Sequence, residues 1–153
     1  MEATSNLPMV LLREHDGQRY LPIYIGPPEA TAIVYALQGM ETPRPMTHDL
    51  FKTVLDDLGA KLVGVVITEL HDGTFYAEIE ISRAEGTCRL SSRPSDAIAL
   101  AVRYPEPVPI YAREEVLDVA GVVFEEDEDE QLIEQFTEFL DHVRPEDFAH
   151  GPE

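Results

Sequence analysis

Apolar and polar positions repeat at two different periods along this chain, and the switches between them predict an α+β arrangement. Pro8–Arg13 and Tyr20–Ile25 are β-rich runs flanking Glu14-His15-Asp16-Gly17-Gln18, whose Asp-Gly suits a turn with positive φ, so the pair reads as a hairpin. At Gly26-Pro27-Pro28-Glu29 the period becomes helical: proline is tolerated in a first turn, Ala30, Ile33, Val34 and Leu37 share a face, and Gly39 ends the run. After Pro43-Arg44-Pro45, Thr47 is the expected N-cap of a second helix. Its stripe of Leu50, Phe51, Val54, Leu55 and Leu58, closed by Gly59, should pack on a sheet.

Period-two patterning then predicts three antiparallel strands, Leu62 to Leu70, Phe75 to Ser82 and Thr87 to Ser91, joined at His71-Asp72-Gly73 and Arg83-Ala84-Glu85-Gly86. Phe75, Ala77, Ile79 and Ile81 face one way, and Tyr76, Glu78, Glu80 and Ser82 the other. From Pro94 to about Arg103 the chain is apolar nearly all round, as in a helix buried between layers; Pro94 at the first helical position makes Arg93 the expected N-cap, with Ser95 the alternative. Ile110-Tyr111 is a short extended piece, and Arg113 to Val119 has room for one or two helical turns before Gly121. The fold class is α+β, an antiparallel or mixed sheet packed by several helices. One domain over residues 1–124 is followed by an acidic linker and an amphipathic helix over residues 125–153, in which Leu132, Ile133, Phe136, Phe139, Leu140 and Val143 recur at helical spacing.

Charge narrows the partners. The net charge is −19, but residues 125–153 carry twelve acids against Arg144 alone, which leaves −8 on residues 1–124. Nucleic-acid affinity comes largely from Lys and Arg neutralising phosphates, so a phosphate-binding function here needs clustered arginines or a metal ion instead of a general basic face. No apolar run is long enough for a membrane span, and Met1–Asn6 lacks the pattern of a signal peptide; the expectation is a cytoplasmic protein with no membrane partner. Cys88, the single cysteine, excludes an intrachain disulfide and a cysteine zinc site.

Candidate chemistry gathers at three helix starts. Ser92-Arg93-Pro94-Ser95-Asp96 offers hydroxyls and a guanidinium to an anion at a helix N-terminus, with Asp96 able to hold a cation or water; as a plain cap the same residues satisfy free amides and complement the helix dipole. Thr47-His48-Asp49 places an imidazole able to act as base beside a carboxylate, and Glu29 stands in the first turn after Gly26. If these starts converge, Glu29, His48, Asp49 and Asp96 form a hard donor set suited to Mg²⁺ or Mn²⁺, with Arg93 for phosphate charge. Glu69, Glu78 and Glu80 read as solvated acids. No nucleophile elbow, P-loop, dinucleotide fingerprint or HExxH is present.

Four blocks in order, Leu21-Pro22-Ile23-Tyr24-Ile25-Gly26 with Glu29-Ala30-Thr31-Ala32-Ile33, Arg44-Pro45-Met46-Thr47-His48-Asp49-Leu50, Ser92-Arg93-Pro94-Ser95-Asp96-Ala97-Ile98-Ala99-Leu100-Ala101 and Pro109-Ile110-Tyr111, resemble the bifunctional nuclease domain family over roughly residues 8–122. The resemblance implies a compact α+β domain, self-association into a homo-oligomer, and cleavage of both DNA and RNA. It also leads one to expect a further strand ahead of Glu2-Ala3-Thr4-Ser5, whose loss would expose a sheet edge. The family's catalytic residues are not carried over; the site expected from the three helix starts takes His48, Asp49 and Asp96 as catalytic, Arg93, Ser92 and Ser95 as substrate-binding, and Glu29, Asp49 and Asp96 as ligands of Mg²⁺ or Mn²⁺. The reading left open beside it is a non-catalytic oligomeric binding or regulatory module.

Overall fold

The structure, a computed structural model, describes residues 6–124; the acidic run and the amphipathic stretch beyond it lie outside them. The described residues form four helices and seven strands in two sheets, an α+β fold whose chain divides into two units. None of the helices among them is long and apolar enough to cross a membrane.

Residues 6–31 and 121–124 belong to the first unit. Its hairpin pairs β1 (Met9–Arg13) with β2 (Arg19–Tyr24) in the register Met9↔Tyr24 to Arg13↔Tyr20. Arg19 clamps the turn, donating from Nε and Nη2 to the two Glu14 carboxylate oxygens at 3.1 and 2.8 Å. A two-residue strand, Val122–Val123 (β7 in chain order), pairs antiparallel with Arg19 and Tyr20 of β2. It stops short of Pro22, which has no N–H to donate to such a ladder. The Phe124 ring then meets Tyr20 edge-on at 5.2 Å.

Helix α1 (Pro27–Leu37) starts with its two prolines and ends where Gly39 takes φ +62°, as the spacing predicts. The second unit, Ala32–Ala120, carries a four-stranded sheet in the order β5-β4-β3-β6. Its strands are β3 (Lys61–His71), β4 (Thr74–Arg83), β5 (Gly86–Ser92) and β6 (Ile110–Ala112). The β3–β4 turn uses Asp72 at φ 49° and Gly73 at φ 75°, both in the left-handed region that a two-residue hairpin turn requires. β6 runs parallel to β3, in the register Val65↔Ile110 to Ile67↔Ala112, and makes the sheet mixed. A three-residue strand with no alternation to reveal it gave no sign of that partner in the sequence.

Helix α2 (Thr47–Asp57) and helix α3 (Pro94–Ala101) pack on each other and on β3. The core joins Leu55 to Leu62, Val65, Ile79, Ile81, Ala97, Leu100, Ala101 and Tyr104. Every residue of α3 except Asp96 is buried, as all-round apolarity foretells. The α2 stripe behaves differently: only Leu55 is buried, while Leu50, Phe51, Val54 and Leu58 are exposed, Leu58 to 75%. The stripe is wider than the strip of core it meets. Helix α4 (Glu114–Ala120) follows β6.

Candidate active site

Two helix N-termini of the second unit meet here. Strand β5 ends at Ser92, Arg93 caps α3 with extended dihedrals (φ −69°, ψ 142°), and Pro94, Ser95 and Asp96 fill the first three helical positions. Helix α2 begins the same way, one residue earlier than the sequence indicates: Met46 (φ −78°, ψ 173°) is the N-cap and Thr47 already helical, which puts His48 second and Asp49 third. Threonine is the better cap former, but Asp49 reaches back to accept from the Met46 N–H at 2.8 Å and supplies the acceptor from inside the helix.

His48 projects from α2 onto Asp96 of α3, with Nε2 3.0 Å from Oδ1 and only 14% of its side chain exposed. Arg93 grips the same carboxylate as a fork, Nε to Oδ2 at 2.8 Å and Nη2 to Oδ1 at 3.1 Å. Partial burial raises the Asp96 carboxyl, but the hydrogen bonds from Arg93 and His48 more than offset it and hold Asp96 below the usual carboxylate value. The carboxylate is ionised near neutral pH. An ionised carboxylate only accepts, so Nε2 donates and the imidazole's Nδ1 is left as the basic nitrogen.

Asp49 points elsewhere. Its Oδ1 accepts from Nε of Arg103 at 2.6 Å while Oδ2 takes the Met46 N–H. Burial raises this carboxyl too, and the Met46 N–H and the Arg103 guanidinium bring it below its ordinary value. Arg103 is 6% exposed and spends Nη1 on the carbonyls of Ala99 at 2.6 Å and Ala32 at 3.0 Å. No motif marks Arg103 in the sequence.

Of the expected site residues, His48, Asp96 and Arg93 are thus brought into contact. Ser92 donates its hydroxyl to the Arg93 carbonyl at 2.9 Å, and Ser95 is buried in the first turn. Glu29 lies in the first turn of α1 within the first unit. Among the described residues no group of three or more His, Cys, Asp or Glu is placed to hold a metal ion. Both oxygens of Asp49 and of Asp96 already accept from N–H groups. A Mg²⁺ or Mn²⁺ held by Asp49 or Asp96 would share carboxylate oxygens with these N–H donors.

The bifunctional nuclease domain model matches residues 10–125, and the chain belongs to that family. An uncharacterized protein of Mycobacterium tuberculosis (strain ATCC 25618 / H37Rv) is 45% identical over 156 residues, covering 97% of this chain and 92% of its own. Bifunctional nuclease 1 of Oryza sativa subsp. indica is 29% identical over 69% of this chain, and bifunctional nuclease 1 of Arabidopsis thaliana is 26% identical over 67%. The chain spans about a third of the length of these plant nucleases.

Proposed function

We propose that this chain hydrolyses phosphodiester bonds of both DNA and RNA, with water as nucleophile and the His48–Asp96 pair as its base. The observation that carries this is the 3.0 Å contact between His48 Nε2 and Asp96 Oδ1 with the Arg93 fork beside it. A group acting on DNA cannot rely on a 2′-hydroxyl, so one mechanism for both substrates takes its nucleophile from water. Nδ1 of His48 accepts the water proton as the oxygen bonds phosphorus. The bond from phosphorus to the leaving sugar oxygen breaks, and that oxygen takes a proton from the imidazolium or from solvent. Asp96 fixes the tautomer and stabilises the imidazolium, the role of the carboxylate in other carboxylate–histidine pairs. Arg93, exposed at the rim, places a planar cation against the phosphate oxygens, and the N–H groups of Ser95 and Asp96 at the start of α3 add to it. No step is routed through a metal.

The test is cleavage of single- and double-stranded DNA and of RNA by the full chain with Mg²⁺, Mn²⁺ or EDTA, beside an Asp96→Ala protein prepared identically. Loss of cleavage on all substrates is expected; equal cleavage by both proteins points to a contaminating nuclease and rejects the site. The competing reading, a non-catalytic binding or regulatory module, draws on the fact that these charges already pair with one another, as in a purely structural cap. Salt-sensitive binding of nucleic acid together with Asp96-dependent turnover excludes it.

We also propose that the chain self-associates. The exposed apolar stripe of α2 supports this, because such a stripe rimmed by polar residues is characteristic of an interface. Light scattering on a Leu58→Glu protein should show a smaller assembly than the parent; the same mass for both argues against α2 as the contact.

A further inference from the structure

We propose that Arg103 is a positioning residue for the nuclease site, acting through Asp49 on His48; the inference rests on the function proposed above. His48 and Asp49 are neighbours in the first turn of α2 and reach α3 at two points. His48 meets Asp96 at the start of α3, and Asp49 meets Arg103 just past its end. Asp96 stands in the first turn of α3 and Arg103 two residues past its last, so the two contacts lie toward opposite ends of that helix. The first turn of α2 is therefore fixed along α3 at both ends of that span.

Arg103 is built for holding. Its buried guanidinium donates from Nη1 to the carbonyls of Ala99 of α3 and Ala32 of α1, so the planar group whose Nε Asp49 contacts is anchored through a second nitrogen to two backbone carbonyls. Asp49 passes the restraint on, since its second oxygen holds the Met46 N–H at the helix cap. A single pair to a flexible surface lysine would leave α2 free to slide. The guanidinium sets both its height and its rotation, which decide whether Nε2 of His48 stays 3.0 Å from Asp96. Arg103 touches neither His48 nor the place where a phosphate would sit against Arg93, so its effect belongs in turnover and not in substrate affinity.

The experiment compares the full chain with Arg103→Met, Arg103→Lys and Asp49→Asn proteins by two measurements. The first is steady-state cleavage of single-stranded DNA. The second, without substrate, is the ¹⁵N spectrum of the His48 ring, assigned with a His48→Gln protein. In the parent, neutral His48 should be a single Nε2–H tautomer. In Arg103→Met it should become a mixture, and kcat should fall roughly 10- to 100-fold, the usual result of about 1 Å of misplacement, with KM within about threefold. Arg103→Lys should recover part of kcat and of the single tautomer. Asp49→Asn leaves one uncharged acceptor oxygen for two donors, Arg103 Nε and the Met46 N–H, so it weakens the same contact from its exposed side and serves if Arg103→Met does not fold. A single tautomer with unchanged kcat in a folded Arg103→Met or Asp49→Asn protein overturns the proposal. If the parent itself cleaves nothing, the nuclease reading fails, and the tautomer alone decides the positioning role: mixed in the variants supports it, single throughout refutes it.

Discussion

Replacing Asp49 by alanine removes both of that carboxylate's bonds at once, and the size of the loss follows from the two. The bond to the Met46 N–H is one half of a helix cap, worth about 0.5–2 kcal/mol. The bond to Arg103 is charge-assisted, in a class worth about 1.5–3 kcal/mol, and the lower half applies because Asp49 is 40% exposed and water compensates in part. The sum is about 2–4 kcal/mol. At ~2–4 °C per kcal/mol for a chain of this length, the melting temperature should drop by roughly 5–15 °C. The pH dependence has a definite sign. The folded-state carboxyl lies below its unfolded value of 3.8, so its stabilisation is complete above that pH and disappears as pH falls through the folded value. Urea unfolding followed by circular dichroism from neutral pH down to about pH 3 should therefore show parent and variant well separated at neutral pH and converging below about pH 4. A gap absent at neutral pH, or one that widens on acidification, refutes this account of Asp49.

Leu100→Ala should cost about 2–5 kcal/mol in the same unfolding assay, because Leu100 is fully buried in the core between α3 and the sheet; a loss under about 1 kcal/mol would mean the core is not packed as described. Arg93→Ala should hardly change stability, since the Arg93–Asp96 pair is largely exposed on the arginine side, yet lower kcat/KM by roughly 10- to 100-fold as a phosphate contact is lost; a stability loss with unchanged kinetics would make Arg93 a cap alone.

Much of this was legible in the sequence because it rests on period and on turn chemistry. The hairpin, the three antiparallel strands and the buried α3 follow from local pattern, and Pro94 points to Arg93 as the cap, which the structure chooses over Ser95. What the pattern misses depends on partners distant in sequence. β6 needs β3 to be a strand, and the α2 stripe overstates burial because periodicity marks an apolar face without saying how much of it another element covers. At the site, residue type identified His48, Asp96 and Arg93, and the approach of α2 to α3 joined them across 48 positions. Asp49 had the right chemistry for a ligand, but Arg103, 54 residues away, takes it up. An arginine following an apolar helix carries no local sign that it will turn inward.

The most direct test of the central claim is a His48→Gln protein, purified beside the parent and assayed on DNA and RNA in the same preparations. Glutamine keeps a hydrogen-bonding side chain near Asp96 but cannot accept the water proton near neutral pH, so cleavage of both substrates should fall together by about 10²- to 10⁴-fold with folding intact. Cleavage of either substrate at the parent's rate would contradict a shared His48–Asp96 base.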